Sequence, residues 1–380
     1  MNIGTVAGCL IVSLALPNAF ADSVPRFTDE GYTVPQPGRE FTFPADHGAH
    51  PEFKIEWWYL TGHLETASER PFGFQATFFR FGGPLEGSEP NHLGFGNHGL
   101  FSTHVALTDI DGGRFFFDQR LDRAGWNARA RVGRLVVEHG AWHLHQPDSP
   151  SFSPMLRFSP APNVEVRLNF QPQDGLVIFG EDGTSRKGPD PAARSYYLTF
   201  PRLQARGEVT LDGESFAVTG EAWMDHEIAS KQLSEDLVGW DWTAIQLDDG
   251  REIKAYVLRQ PDGTPSPFSR LIWLGAQGEK TYLQPGEHFR WERLGWWRSE
   301  ESGIRYPTHL RIHTVDPESG KPVSFELKPR LAAQEIIDDL ADTSYWEGAC
   351  EVLKAEGKRA GLAYLELVGY GDAGAPTGLR

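Results

Sequence analysis

The chain has 380 residues, of which 39% are hydrophobic and 23% charged, and it carries a formal net charge of −16. That length suits two domains of ordinary size and that composition a folded rather than a disordered chain. With no Lys/Arg-rich run to offset it, the negative charge excludes nucleic acid as a partner and disfavours an anionic membrane surface.

In chain order, residues 1–21 come first and read as a secretory signal peptide. The apolar run of residues 10–16 is followed by Pro17 and by Ala19-Phe20-Ala21, an A-x-A cleavage pattern. Cleavage after Ala21 sends the mature chain to the periplasm or beyond it. No Lys or Arg lies between Met1 and the apolar run, a departure from the usual signal. Val6-Ala7-Gly8-Cys9 resembles a lipoprotein processing site but precedes the run, so lipidation is not expected. Further on, no stretch reaches the ~18 apolar residues that a spanning helix needs, so an integral membrane protein is not expected. Cys350 is the one cysteine of the mature chain, which excludes an intramolecular disulfide.

From residue 54 onward, period-two alternation dominates. It predicts strands over 54–65, 72–81, 102–108, 114–119, 165–170, 196–200 and 208–211. After these come 216–223, 239–247, 252–258, 271–274, 308–315, 323–327 and 362–369. Turn chemistry such as Asp111-Gly112-Gly113 and Asp248-Asp249-Gly250 separates them. Residues 147–163 and 181–194 read as Pro/Gly-rich loops, and 332–340 as a short helix. The expectation is an all-β protein with two antiparallel barrels in tandem, divided into 22–231 and 232–380. The 12 Trp and 24 Phe then require a thick core or a lined cavity.

An internal echo supports duplication. Glu56-Trp57-Trp58-Tyr59-Leu60 leads to a strand ending in Arg80, and Gly239-Trp240-Asp241-Trp242-Thr243 to a strand ending in Arg259.

Alternation puts Trp57, Tyr59 and Thr61 on one face, and Trp240 and Trp242 on one face of the second hairpin. Such faces are packed core or the wall of a ligand cavity; the cavity is slightly favoured, because cup-shaped barrels hold small ligands. Asp46, His47, His50 and Glu56 cluster without a common zinc spacing, so hydrogen bonding is expected there and no metal. Trp223-Met224-Asp225-His226-Glu227 is the densest titratable cluster. An acid and an imidazole together can protonate an alkene and deprotonate water. Neighbours on a strand face opposite ways, so Asp225 and His226 share a site only at a bend or bulge. Ion pairing, for example with Arg80 or Arg259, is the competing account, and the two are about equally weighted. Asp241, His104 and Lys254 come next in line. No G-x-S-x-G, H-E-x-x-H or Walker loop is present.

Several ordered segments resemble the bacterial family that joins carotenoid 1,2-hydratases (CrtC) with AttH-like, lipocalin-like exported proteins, often labelled secreted hydrolases. They are Asp46-His47-Gly48-Ala49-His50-Pro51, Glu56 through Leu64, Gly220 through Glu227, Gly239 through Trp242 with Gln246-Leu247-Asp248-Asp249-Gly250, Tyr345-Trp346-Glu347-Gly348, and Tyr364 through Tyr370. The resemblance implies paired lipocalin-like barrels, a pocket in or between them, and chemistry without a cofactor. It implies Asp225 and His226 as acid candidates, with Trp57, Tyr59, Gln75, Trp223, Trp240 and Trp242 around an apolar ligand such as a lipid, isoprenoid or polyketide. Family members have Trp where this chain has Ile228, which counts against carotenoid hydration itself. The rival readings are a carrier or accessory of an ABC-type transporter or its permease, and a secreted hydrolase.

Overall fold

The computed structural model describes residues 23–371 except 84, 86–98, 150, 235, 277 and 338–343. The signal peptide expected at 1–21 lies outside the described residues. Among those described, the 3-10 turn Ala45–His47 is the one helical element, and 23 strands make up the rest.

The first sheet begins with β1 (Ile55–Thr66), β2 (Pro71–Phe81), β3 (Leu100–Asp109) and β4 (Arg114–Arg123). Short strands follow: β5 (Ala128–Ala130), β6 (Val136–His139), β7 (Trp142–His145), β8 (Met155–Ala161), β9 (Val164–Pro172), β10 (Val177–Phe179) and β11 (Ser185–Arg186). Two long ones close it, β12 (Arg194–Leu211) and β13 (Glu214–Lys231). The second sheet holds β14 (Gly239–Leu247), β15 (Glu252–Arg259), β16 (Arg270–Leu274), β17 (Lys280–Leu283) and β18 (Arg290–Arg298). It continues with β19 (Arg305–Val315), β20 (Pro322–Pro329), β21 (Glu335–Ile336), β22 (Tyr345–Lys354) and β23 (Arg359–Val368).

Every named strand pairing is antiparallel. The first sheet runs β4-β3-β2-β1-β13-β12-β9-β8-β7-β6-β5, and the second β17-β16-β15-β14-β23-β22-β20-β19-β18. Each sheet curls into a barrel around its own apolar core. Trp58, Leu60, Phe74, Phe78, Leu144 and Phe158 fill the first, and Ile245, Trp273, Tyr306, Leu310, Trp346 and Leu365 the second. Burying side chains of this size at ~1.5–3 kcal/mol each supplies the stability that disulfides do not.

A third cluster lies between the sheets. Tyr59, Tyr197, Trp223 and Phe179 of the first meet Trp242, Tyr256, Leu258 and Ile272 of the second. Polar stitches cross the same boundary. His63 Nε2 donates to the Ala363 carbonyl at 3.0 Å, Gln246 Nε2 to the Pro201 carbonyl at 2.8 Å, and Arg202 Nε to Glu252 at 2.8 Å.

Three expectations are corrected. Residues 332–337 are not helical: Glu335 and Ile336 pair with Trp346 and Tyr345, and Trp346 Nε1 donates to the Ala332 carbonyl. The remainder of that expected helix, 338–340, lies outside the described residues. The loops 147–163 and 181–194 each contain a strand, β8 and β11. The strands expected at 196–200 and 208–211 are one strand, interrupted only by a register shift between Phe200 and Leu203. Pro201 sits at that shift, where the absent N–H removes one ladder bond without ending the strand.

Candidate functional site

The register of β13 decides how the titratable cluster is divided. Its pairing with β1 runs without a break from Ile55↔Ala229 to Thr66↔Val218, and includes Trp58↔His226 and Tyr59↔Asp225. No bulge rotates either residue, so Asp225 and His226 point to opposite faces. The structure does not bring them into one site.

His226 faces into the first barrel with Trp58, which stacks on its ring at 4.8 Å. There Glu56, fully buried, collects nearly every polar neighbour. His226 Nε2 donates to Glu56 Oε1 at 2.9 Å, His50 Nδ1 to the same oxygen at 2.8 Å, and Arg80 Nε to Oε2 at 3.0 Å. His50 Nε2 reaches Asp46 at 2.9 Å, and Arg80 also donates to the His50 and Phe53 carbonyls. Burial alone would raise the Glu56 carboxyl, but these donors outweigh it and hold the group well below the ordinary carboxylate range. For His50, burial opposes the charge while Glu56 and Asp46 win, so its value is raised. Burial lowers His226 and takes His47 down to about 3. The result is two imidazoles and a guanidinium around one carboxylate. His50, Glu56 and His226 offer ligand atoms within 4.8 Å of one another. Yet the Arg80 guanidinium already occupies Glu56, and a cation there repels a second one. The cluster reads as hydrogen bonding rather than as a metal centre.

Asp225 faces the second sheet. Tyr197 Oη donates to Oδ2 at 2.7 Å and Trp223 Nε1 to Oδ1 at 2.8 Å, with Thr199 Oγ1 also donating to Oδ1. Burial nevertheless prevails and raises its value, with the charge of Lys254 acting against the rise. Around it lie the other residues expected at a ligand wall. Trp223 and Trp242 meet edge to face at 6.3 Å, as do Tyr59 and Trp242 at 5.2 Å. Trp57 and Trp240 are half-buried at the margin. Gln75 is buried on β2 opposite Thr61; its amide donates to Thr77, and its carbonyl finds no partner among the described residues. Where the faces meet around Thr61, Trp223, Ala244 and Tyr364 they leave a gap of about 10 Å³, room for about one water molecule.

Two carboxylic acids that the sequence reasoning passed over lie along the same seam between the sheets. Glu347 on β22 and Glu366 on β23 are direct cross-strand partners. Tyr59 Oη donates to Glu347 at 2.6 Å and Trp240 Nε1 to Glu366 at 2.8 Å. Burial and the neighbouring Glu366 push Glu347 well above the carboxylate range. Burial takes Glu366 up to about 7 despite the Trp240 donor, and Asp225 and Glu227 add to the rise. Like charges directly opposite cannot both ionise cheaply in a dry site, so the pair holds a proton at neutral pH. The signal for them was a Glu at an inward position of a strand whose other inward residues are aromatic or apolar. Lys254, against the Tyr197 and Phe179 rings, is also fully buried. Of the other second-line candidates, His104 meets Tyr345 Oη at 2.8 Å on this side of the first sheet. Asp241 is paired with Arg259 inside the second barrel.

The AttH-like family matches residues 34–370. The chain belongs to that family. An AttH protein of Nitrosomonas europaea is 34% identical, with a TM-score of 0.77 over 88% of this chain and 99% of its own. Kievitone hydratase of Nectria haematococca is 16% identical and superimposes with a TM-score of 0.63 over 86% and 92% of the two chains; at that identity it shares the fold. No curated protein matches. The AttH-like assignment agrees with the tandem lipocalin-like barrels. Among the described residues no helix is long and apolar enough to cross a membrane.

Proposed function

We propose that this AttH-like protein parts the seam between its two barrels, where the gap now holds about one water, to bind an apolar small molecule, and adds water across a carbon–carbon double bond of it by acid catalysis. The observation that carries this reading is a set of three acids, buried Asp225 and Glu347 with half-buried Glu366, facing one another's sheets among tryptophan and tyrosine rings. A neutral carboxylic acid in such surroundings can protonate an alkene. The rings stabilise the developing carbocation through their negative faces. Water then attacks the cation and its surplus proton passes to a carboxylate of the Glu347–Glu366 pair, so no redox cofactor is required. Asp225 is the assigned acid, because three donors fix its orientation. His226 is assigned to holding Glu56, not to the reaction. Kievitone hydratase, by its name a hydratase, has the same fold, which is consistent with this chemistry on these barrels.

The test is to extract the purified protein with organic solvent, identify co-purified molecules by mass spectrometry, and incubate isoprenoid and phenolic alkenes with it in ¹⁸O-labelled water. Label in a product hydroxyl, lost in Asp225→Asn, supports the reading. Bound lipid without turnover of any alkene replaces it with a carrier, such as an accessory to a membrane transporter.

A further inference from the structure

The hydration chemistry gives no part to Lys254. Lys254 on β15 has no exposed surface, and its Nζ has no hydrogen-bond partner among the described residues. It lies 2.7 Å from the centre of the Tyr197 ring and 4.1 Å from that of Phe179, with Tyr256 at 5.7 Å. The acids near it are already engaged. Asp225 takes three donors, and Glu227 is bound by Ser195, by Gln232 at 2.9 Å and by Lys187 at 3.3 Å. The Lys187 ammonium packs on the same rings, 4.8 Å from Tyr197 and 4.6 Å from Tyr256. The Lys254 Nζ therefore meets ring faces and is left without a carboxylate of its own.

We propose that Lys254 is a nucleophilic amine that captures the carbonyl of an apolar aldehyde or ketone as an imine. The Nζ lone pair attacks the carbonyl carbon, the C=O π pair moves to oxygen, and the carbinolamine then loses water. One C=N bond replaces one C=O bond, water carries away the oxygen, and nothing is oxidised or reduced. Burial holds the amine well below the usual lysine range; Asp225 and Glu227 act against that shift, and the Lys187 charge adds to it. Desolvation beside a second cation is a known way to keep a lysine unprotonated and reactive. This assignment rests on the reading that the space between the barrels admits an apolar ligand, and it narrows that ligand to a carbonyl compound.

The experiment uses the mature chain with decanal and sodium cyanoborohydride at about pH 6.5, where ordinary lysines are protonated, followed by peptide mapping. Decanol, which cannot form an imine, is titrated in parallel against tryptophan fluorescence. Reduced adduct should form on Lys254 at least about tenfold faster than on the exposed Lys354 and Lys358, and decanol should compete with it. Quenching by decanol with Lys254 unlabelled, or labelled no faster than Lys358, overturns the imine and leaves the apolar site standing. No quenching and no labelling of Lys254 overturns both.

Discussion

The two faces of β13 are built on opposite plans. Facing into the first barrel, His226 joins a carboxylate whose two oxygens are taken by two imidazoles and a guanidinium. Facing the second sheet, Asp225 adjoins a lysine without a hydrogen-bond partner and lies near a pair of glutamates whose values are both raised. A buried polar cluster that satisfies itself rigidifies a fold. One that keeps neutral acids and a bare amine among aromatic rings is costly to maintain, and perturbed groups of this kind concentrate where chemistry is done. The same strand thus carries a structural centre on one side and a candidate reactive surface on the other.

The largest expected effect comes from breaking the saturated side. Glu56→Gln removes the charge that pairs His50 and Arg80, and should destabilise the protein by about 3–5 kcal/mol, read by urea denaturation. A loss below about 1 kcal/mol would mean that the network contributes little. The Glu56 and His50 shifts also set a pH window. The depressed Glu56 group contributes stability above its unfolded value that is lost as pH falls through its lower folded value. The raised His50 group contributes below its unfolded value, and that part is lost as pH rises through the higher folded one. Glu56→Gln should therefore flatten the stability–pH curve at both ends.

On the reactive side the effects on stability shrink and change sign. Glu366 is raised from an ordinary 4.5 to about 7, so between those two values the folded state holds more protons than the unfolded one. Stability should fall with rising pH across that interval. Glu366→Gln should raise the melting temperature at pH 8 and leave it nearly unchanged at pH 4, by differential scanning fluorimetry. An equal shift at both pH values would contradict the raised value of this acid. Smallest is Trp240→Phe: the half-buried ring should cost a few-fold in affinity for an apolar fluorophore while melting stays within a few degrees. A large loss of stability with unchanged binding would make Trp240 core instead, as truncating a packed aromatic does.

Much of this arrangement was legible in the sequence. Alternation located β1, β14, β15 and β23, although the strand expected at 216–223 stopped short of Asp225 and His226, and the echo between the two aromatic hairpins has a structural counterpart. Arg80 lies on Glu56 and Arg259 on Asp241, each a buried pair bridging neighbouring strands. Ion pairing with these arginines was the rival account of the Asp225–His226 cluster; Arg80 does share Glu56 with His226, but Arg259 serves the other barrel. The split of Asp225 from His226 follows from the pleat alone once no bulge intervenes. Glu366 lay on an expected strand, but its pairing with Glu347 was not legible, because β22 was not anticipated. Nor was the short helix expected near residue 332 avoidable from pattern alone, since what unwinds it is the distant indole of Trp346.

The claim that β13 has a structural and a reactive face is tested most directly by two variants measured side by side, Asp225→Asn and His226→Gln, for melting temperature and for alkene hydration. Asn at 225 can keep the Trp223 and Thr199 bonds on its oxygen and donate its amide to Tyr197. The account predicts a melting point within a few degrees of the parent and turnover at least ~100-fold lower. His226→Gln should melt clearly earlier and, once folded, retain turnover within a few-fold. Parental hydration in folded Asp225→Asn, or a stable His226→Gln protein that has lost it, would contradict the account.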